Sequence, residues 1–125
     1  MTPHDRPRDF GLRHMRLPVG AYASILHRAS GILFLPVVAA GLVLWRTART
    51  SRAGFHAVGS ALTSPAAHIL GPLAVWVAAQ HLFGGIRYLL LDSDIGFGRA
   101  RSRSTAAIVI AAALVAAGIA GWLWP

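Results

Sequence analysis

An all-α membrane protein of three transmembrane helices is predicted by three features of the chain. It is 55% hydrophobic and only 13% charged, so lipid-facing segments come before a soluble core in any reading. Three apolar spans stand out: Ala29–Trp45 has no charge over 17 residues, Ile69–Ile86 has none if His81 is neutral, and Ser104–Pro125 adds 22 more. A hydrocarbon core about 30 Å thick needs about 20 helical residues, which the third span supplies and the others reach with flanking residues. All twelve basic residues are arginine, and they sit at the edges of these spans or in the gaps between them. The whole of residues 1–125 reads as one membrane domain.

Residues 1–20 are polar and carry Pro3, Pro7 and Pro18, each of which biases its neighbour away from the helical region, so an extended segment on a partner or the membrane surface is expected. The 28 residues before the apolar run are too long and polar for a signal peptide, and Asp5 and Asp9 argue against a transit peptide, so the chain is expected to be mature as it stands. The first helix is expected over about 22–45, starting between Gly20 and Ser24, with a kink at Pro36 that neighbouring helices compensate. Arg46–Pro65 reads as a polar connection in which Phe55, Val58 and Leu62 form a short interfacial turn. The second helix is expected over about 66–91, then a loop from Asp92 to Arg103 broken by Gly96 and Gly98. The third, about 104–124, is made of small aliphatic residues. Ala113, Ala117 and Gly121 recur every four residues, as do Ala112, Ala116 and Ala120, a spacing that lets helix backbones approach closely in lipid.

The formal charge of +8 raises nucleic acid as a partner, but the placement of the arginines matches topology signals instead, so no nucleic acid is expected. Nine arginines flank one side of the spans (Arg6, Arg8, Arg13, Arg16, Arg28, Arg87, Arg99, Arg101, Arg103) and three the other (Arg46, Arg49, Arg52). That asymmetry predicts a cytoplasmic N-terminus and a periplasmic C-terminus. Trp45, Trp122 and Trp124 then fall at the outer interface, where amphipathic rings are favoured. The absence of cysteine excludes disulfides, thiolate-held iron–sulfur clusters and covalent c-type haem, leaving non-covalent cofactors for any redox role. The lack of lysine beside abundant Ala, Gly and Arg suggests a GC-rich bacterial genome, hence a bacterial inner membrane.

Two polar constellations interrupt the apolar pattern. Ser24, His27, Arg28 and Gly31 share one helix face at i, i+3, i+4 and i+7. They bring a hydroxyl, an imidazole and a guanidinium together at the cytoplasmic end of the first helix, and position alone favours an interfacial arginine snorkelling to lipid headgroups. His81, Gly84, Gly85 and Tyr88 repeat the spacing on the second helix. An ionisable group at membrane depth is a functional hypothesis by default. Two glycines beside it leave a groove without side chains, of the kind a flat macrocycle requires, and neutral imidazole is a good axial ligand for haem iron. The competing reading assigns Gly84 and Gly85 to helix packing and gives His81 a hydrogen bond to a neighbouring helix.

Depth narrows the choice of a second ligand. His81 lies eleven residues before Asp92, about 16 Å at 1.5 Å per residue, near the membrane midplane. His68 is about 20 Å away on the same helix. His27 is expected near the cytoplasmic edge, too shallow unless its helix is shifted, and His4, His14 and His56 lie in polar segments. One good ligand in this chain and a second from another chain is the expectation.

Together the two constellations resemble the cytochrome b-type (cytochrome b556) membrane anchor subunits of succinate dehydrogenase, respiratory complex II. The resemblance covers most of the chain. Arg6 and Pro7 followed by Ser24, His27, Arg28 and Ser30 match its Arg-Pro and Ser-x-x-His-Arg-x-Ser signature. His81, Gly85, Ile86, Arg87 and Asp92 match His-x-x-x-Gly-Ile-Arg ending in aspartate. Arg8, Tyr88 and Asp94 depart from the pattern; the family often has a second histidine where Tyr88 stands.

The resemblance implies a four-chain assembly of a flavoprotein, an iron–sulfur subunit, this chain and a second three-helix anchor, with catalysis only in the complex. It implies His81 as an axial ligand of haem b, the second anchor supplying the other. It further implies Ser24 and Arg28 in the pocket for ubiquinone or menaquinone, and His27 and Arg28 near the haem propionates. A quinol:fumarate reductase anchor is the alternative within the family. From another class comes a small three-helix transporter or channel without haem, with His81 and Arg87 lining a polar path.

Overall fold

A computed structural model describes residues 17–93 and 98–125; the expectations placed on His4, Arg6, Pro7, Arg8, Arg13, His14, Arg16, Asp94 and Gly96 lie outside the described residues. The element order is α1 (Val19–Thr50), α2 (Arg52–Leu62), α3 (Pro65–Asp92) and α4 (Arg99–Leu123), with no strand among the described residues. Helices α1, α3 and α4 are each long and apolar enough to cross a membrane. The protein is all-helical with three candidate spans.

Local chemistry explains where each helix starts and stops. Pro18 is extended (φ −67°, ψ 153°) and α1 begins on the next residue, three residues before the expected start. The helix runs unbroken through Pro36 and on past Trp45 to Thr50, because nothing between them breaks it. The hydroxyls of Thr47 and Thr50 donate back to the carbonyls of Val43 and Thr47. Ser51 is extended and caps α2 by accepting from the Gly54 N–H at 2.9 Å, the usual N-cap device. The expected turn at Phe55 is therefore an eleven-residue helix. Ser64 caps α3 and Pro65 fills its first position, where the missing N–H of proline costs nothing.

Helix α3 is the middle layer, packing most extensively on α4 and next on α1. The contact with α4 is made by Ala106, Val109 and Ala113, all buried. Of the small residues expected to form the close approach, Ala113 is fully buried, Ala112, Ala116, Ala117 and Ala120 are half-buried, and a Cβ at Gly121 would lie 3.4 Å from Cγ of Pro72 on α3; Val109 extends the buried stripe by one turn. Most other large apolar side chains face outward, Ile32 and Leu35 being about three-quarters exposed, as lipid or another membrane chain requires. Two ends can be distinguished: the Asp92 end, where α3 leaves and α4 starts, and the α2 end. At the α2 end Trp45 and Trp122 are exposed. Trp124 lies at the same end but packs inward: its indole lies against Gly71, and its Nε1 donates to the Leu62 carbonyl at 2.9 Å.

Candidate functional site

The two polar constellations dock on each other. His27 of α1 and His81 of α3 stack with ring centroids 4.8 Å apart and planes 3° from parallel. Phe34, seven residues after His27 on the same face of α1, also stacks on His81, at 5.3 Å. Tyr88, seven residues after His81 on α3, tilts onto His27 at 5.1 Å. The result is a ladder of four rings, Phe34, His81, His27 and Tyr88, contributed alternately by two antiparallel helices.

Glycines make the interdigitation possible. A Cβ at Gly84 would lie 2.6 Å from Cδ2 of His27, and one at Gly31 would lie 3.1 Å from Cε1 of His81. Each histidine is thus seated over a glycine of the opposite helix. The expectation of an open groove beside Gly84 and Gly85 is corrected here, because the His27 imidazole fills the notch over Gly84. The expectation that His27 is too shallow is corrected too. With α1 starting at Val19, His27 is eight residues in, about 12 Å, against about 16 Å for His81 from the other side of the same end.

His81 is half-buried, and its Nδ1 is enclosed without a hydrogen-bond partner. Among the described residues no cluster of three or more His, Cys, Asp or Glu side chains is assembled, so an iron held here would have to bring its own equatorial ligands. A haem is such a group, and the test is therefore whether this chain offers a donor and a seat. It offers the donor: an imidazole within a candidate membrane span, its plane fixed by neighbours on its faces. The seat over Gly84 is taken by His27.

Ser24 is half-buried and Arg28 exposed on the adjoining flank of α1. Arg28 presents its guanidinium outward, and Ser24 lies one turn before it on the same flank. A cleft of about 580 Å³ opens at the same end, lined in part by Gly20, Ala21, Leu91 and Ser102. His56 is exposed on α2. His68 is exposed near the start of α3, its Nδ1 3.0 Å from the Ser64 carbonyl, far from His81.

Two buried polar residues were not singled out by the sequence as a structural core. Arg87 is only 6% exposed; its Nε donates to Thr105 Oγ1 at 3.2 Å and its Nη2 to the Oγ and carbonyl of Ser102. These partners are neutral, and Arg87 joins α3 to α4. The signal was present in Ser102 and Thr105, three residues apart on α4. Gln80 is fully buried, and neither amide atom has a hydrogen-bond partner.

Comparison with known proteins agrees with these features. A family model described as succinate dehydrogenase/fumarate reductase transmembrane subunit matches residues 2–120. The succinate dehydrogenase cytochrome b556 subunit of Coxiella burnetii is 30% identical over 125 residues, an alignment covering 95% of this chain and 97% of that protein.

Proposed function

This chain belongs to the succinate dehydrogenase/fumarate reductase transmembrane subunit family, and from that premise we propose that it is the cytochrome b-type anchor of a succinate:quinone oxidoreductase. It has no catalysis of its own and works with a flavoprotein, an iron–sulfur subunit and a second small membrane anchor. The observation that carries the reading is His81: an imidazole at membrane depth, its ring orientation set by His27 and Phe34, on a chain 30% identical to a cytochrome b556 subunit.

His81 would hold haem b for this chain, the second anchor supplying the other ligand, with the haem seated clear of the Gly84 notch that His27 fills. Haem bound there supplies a one-electron redox centre within the membrane. Arg28 would pair with a haem propionate by a charge-assisted hydrogen bond, and His27 would do so as a neutral donor. Ser24 and Arg28 belong to the quinone pocket, supported by their i, i+4 placement on one flank of α1, where Arg28 is exposed. There the Arg28 guanidinium orients a quinone carbonyl and stabilises negative charge that develops as it is reduced. The arginine excess at the Asp92 end supports its placement toward the cytoplasm, and the bacterial relative supports an inner-membrane location.

The test is His81→Ala in the complex purified in mild detergent. Loss of the b-type absorbance, with flavoprotein and iron–sulfur subunit still co-purifying, is the expected result. An unchanged spectrum and haem content overturns the ligand assignment, and absence of any co-purifying flavoprotein from the unaltered protein overturns the function.

A further inference from the structure

An open groove of about 330 Å³ runs between α3 and α4, lined by Phe83, Ile86 and Leu90 on one wall and Thr105, Ile108 and Ala112 on the other. At 100° per residue these α3 positions lie on the side opposite His81, Gly84 and Tyr88, so the groove faces away from α1 and from the ring ladder. It sits within the membrane-spanning length of both helices, and its lining is hydrocarbon apart from Thr105 and the edge of Arg87.

The end of the groove toward Asp92 is cationic. Arg101 precedes Thr105, Ile108 and Ala112 by four, seven and eleven residues, which puts it on the same stripe of α4, one turn beyond the groove. Its side chain is exposed. Behind the wall lies the buried Arg87 guanidinium, hydrogen-bonded to neutral groups. A hydrocarbon slot with positive charge over one mouth complements one class of molecule in a bilayer.

We propose that this groove holds an acyl chain of an anionic phospholipid whose phosphate pairs with Arg101. An apolar helix of another subunit fills the slot equally well but does nothing for the charge at its mouth. The lipid does both, because its chain and phosphate are joined at the depth where the groove meets Arg101. A resident lipid there continues the α3–α4 surface and lowers the field at Arg87.

The protein, purified in mild detergent with the chains that accompany it, is examined by native mass spectrometry. Spin-labelled phosphatidylglycerol and phosphatidylcholine are then titrated in separately. One retained phosphatidylglycerol per chain is expected, and Arg101→Gln weakens its binding about fivefold, as about 1 kcal/mol per basic side chain predicts. Phosphatidylcholine binding is unchanged by that substitution. Arg103→Gln, on the opposite side of α4, leaves both lipids unaffected, and Ala112→Phe blocks both by filling the groove. Equal binding of the two lipids, or no response to Arg101→Gln, overturns the proposal. So does a cross-link from Leu90→Cys to an accompanying protein chain, which would put a helix in the slot. Arg101 and Arg103 are both exposed, so their comparison decides the matter even where Ala112→Phe fails to fold.

Discussion

The imidazoles of His27 and His81 lie face to face, 4.8 Å apart, each over a glycine of the opposite helix. The two contacts are reciprocal, so α1 and α3 cannot slide by a turn without emptying both notches at once. The register of the two helices, and with it the orientation of the His81 ring, is set by side chains that also carry the proposed chemistry.

Gly84→Ala is expected to force His27 out of its notch and to destabilise the complex by about 1–3 kcal/mol, the usual cost of overpacking. Gly85→Ala is the control, since a Cβ there meets His27 only at 3.6 Å, an ordinary contact. Thermal unfolding in detergent measures both. Equal losses at the two positions would show that helix propensity, not the close approach, sets the cost.

How the two constellations relate was not legible from either one. Spacing alone placed Ser24, His27 and Arg28 on one face and His81, Gly84, Gly85 and Tyr88 on another, and hydropathy placed the three spans. The docking was hidden because it depended on where α1 starts. Three residues at the N-terminus of a helix move His27 by about 4.5 Å along the axis. That Arg87 ties α3 to α4 was not legible for a related reason: its partner Ser102 lies in the stretch that reads as loop, and Thr105 lies at the edge of the apolar run. The α2 helix was masked by its glycines, Gly54 and Gly59, and by a composition close to that of a turn.

Gln80 offers a clean test of a buried cost. Its amide is fully enclosed with no hydrogen-bond partner, and an unsatisfied buried polar group costs about 1–3 kcal/mol. Gln80→Leu is therefore expected to raise the unfolding temperature while leaving haem content unchanged. A lower unfolding temperature would mean that the amide is hydrogen-bonded in the assembled complex.

Arg87 and Thr105 are expected to be energetically coupled. In a cycle of Arg87→Gln, Thr105→Val and the double variant, unfolding free energies should depart from additivity by about 0.5–3 kcal/mol. Additive losses would indicate that the 3.2 Å contact contributes nothing to holding α3 against α4.

Arg28→Ala is expected to lower succinate:quinone turnover by about a hundredfold to a thousandfold, the range seen when a donor to developing negative charge is removed. Succinate oxidation by a water-soluble dye should be spared. Parallel loss in both assays would assign Arg28 to assembly rather than to quinone.

Trp124→Phe should cost about 1 kcal/mol through the lost bond to the Leu62 carbonyl, and Trp124→Ala more. Faster proteolysis at the exposed Thr63, between α2 and α3, is the readout. No change in cleavage would mean the indole does not fasten this end.

The same indole has a bearing on biosynthesis. Its hydrogen bond joins positions 62 residues apart, and α4 lies between the last loop and the ring, so every span must have left the ribosome before the contact can form. During insertion the turn between α2 and α3 waits open, and the late arrival of Trp124 makes its closure a report that all three helices are in place.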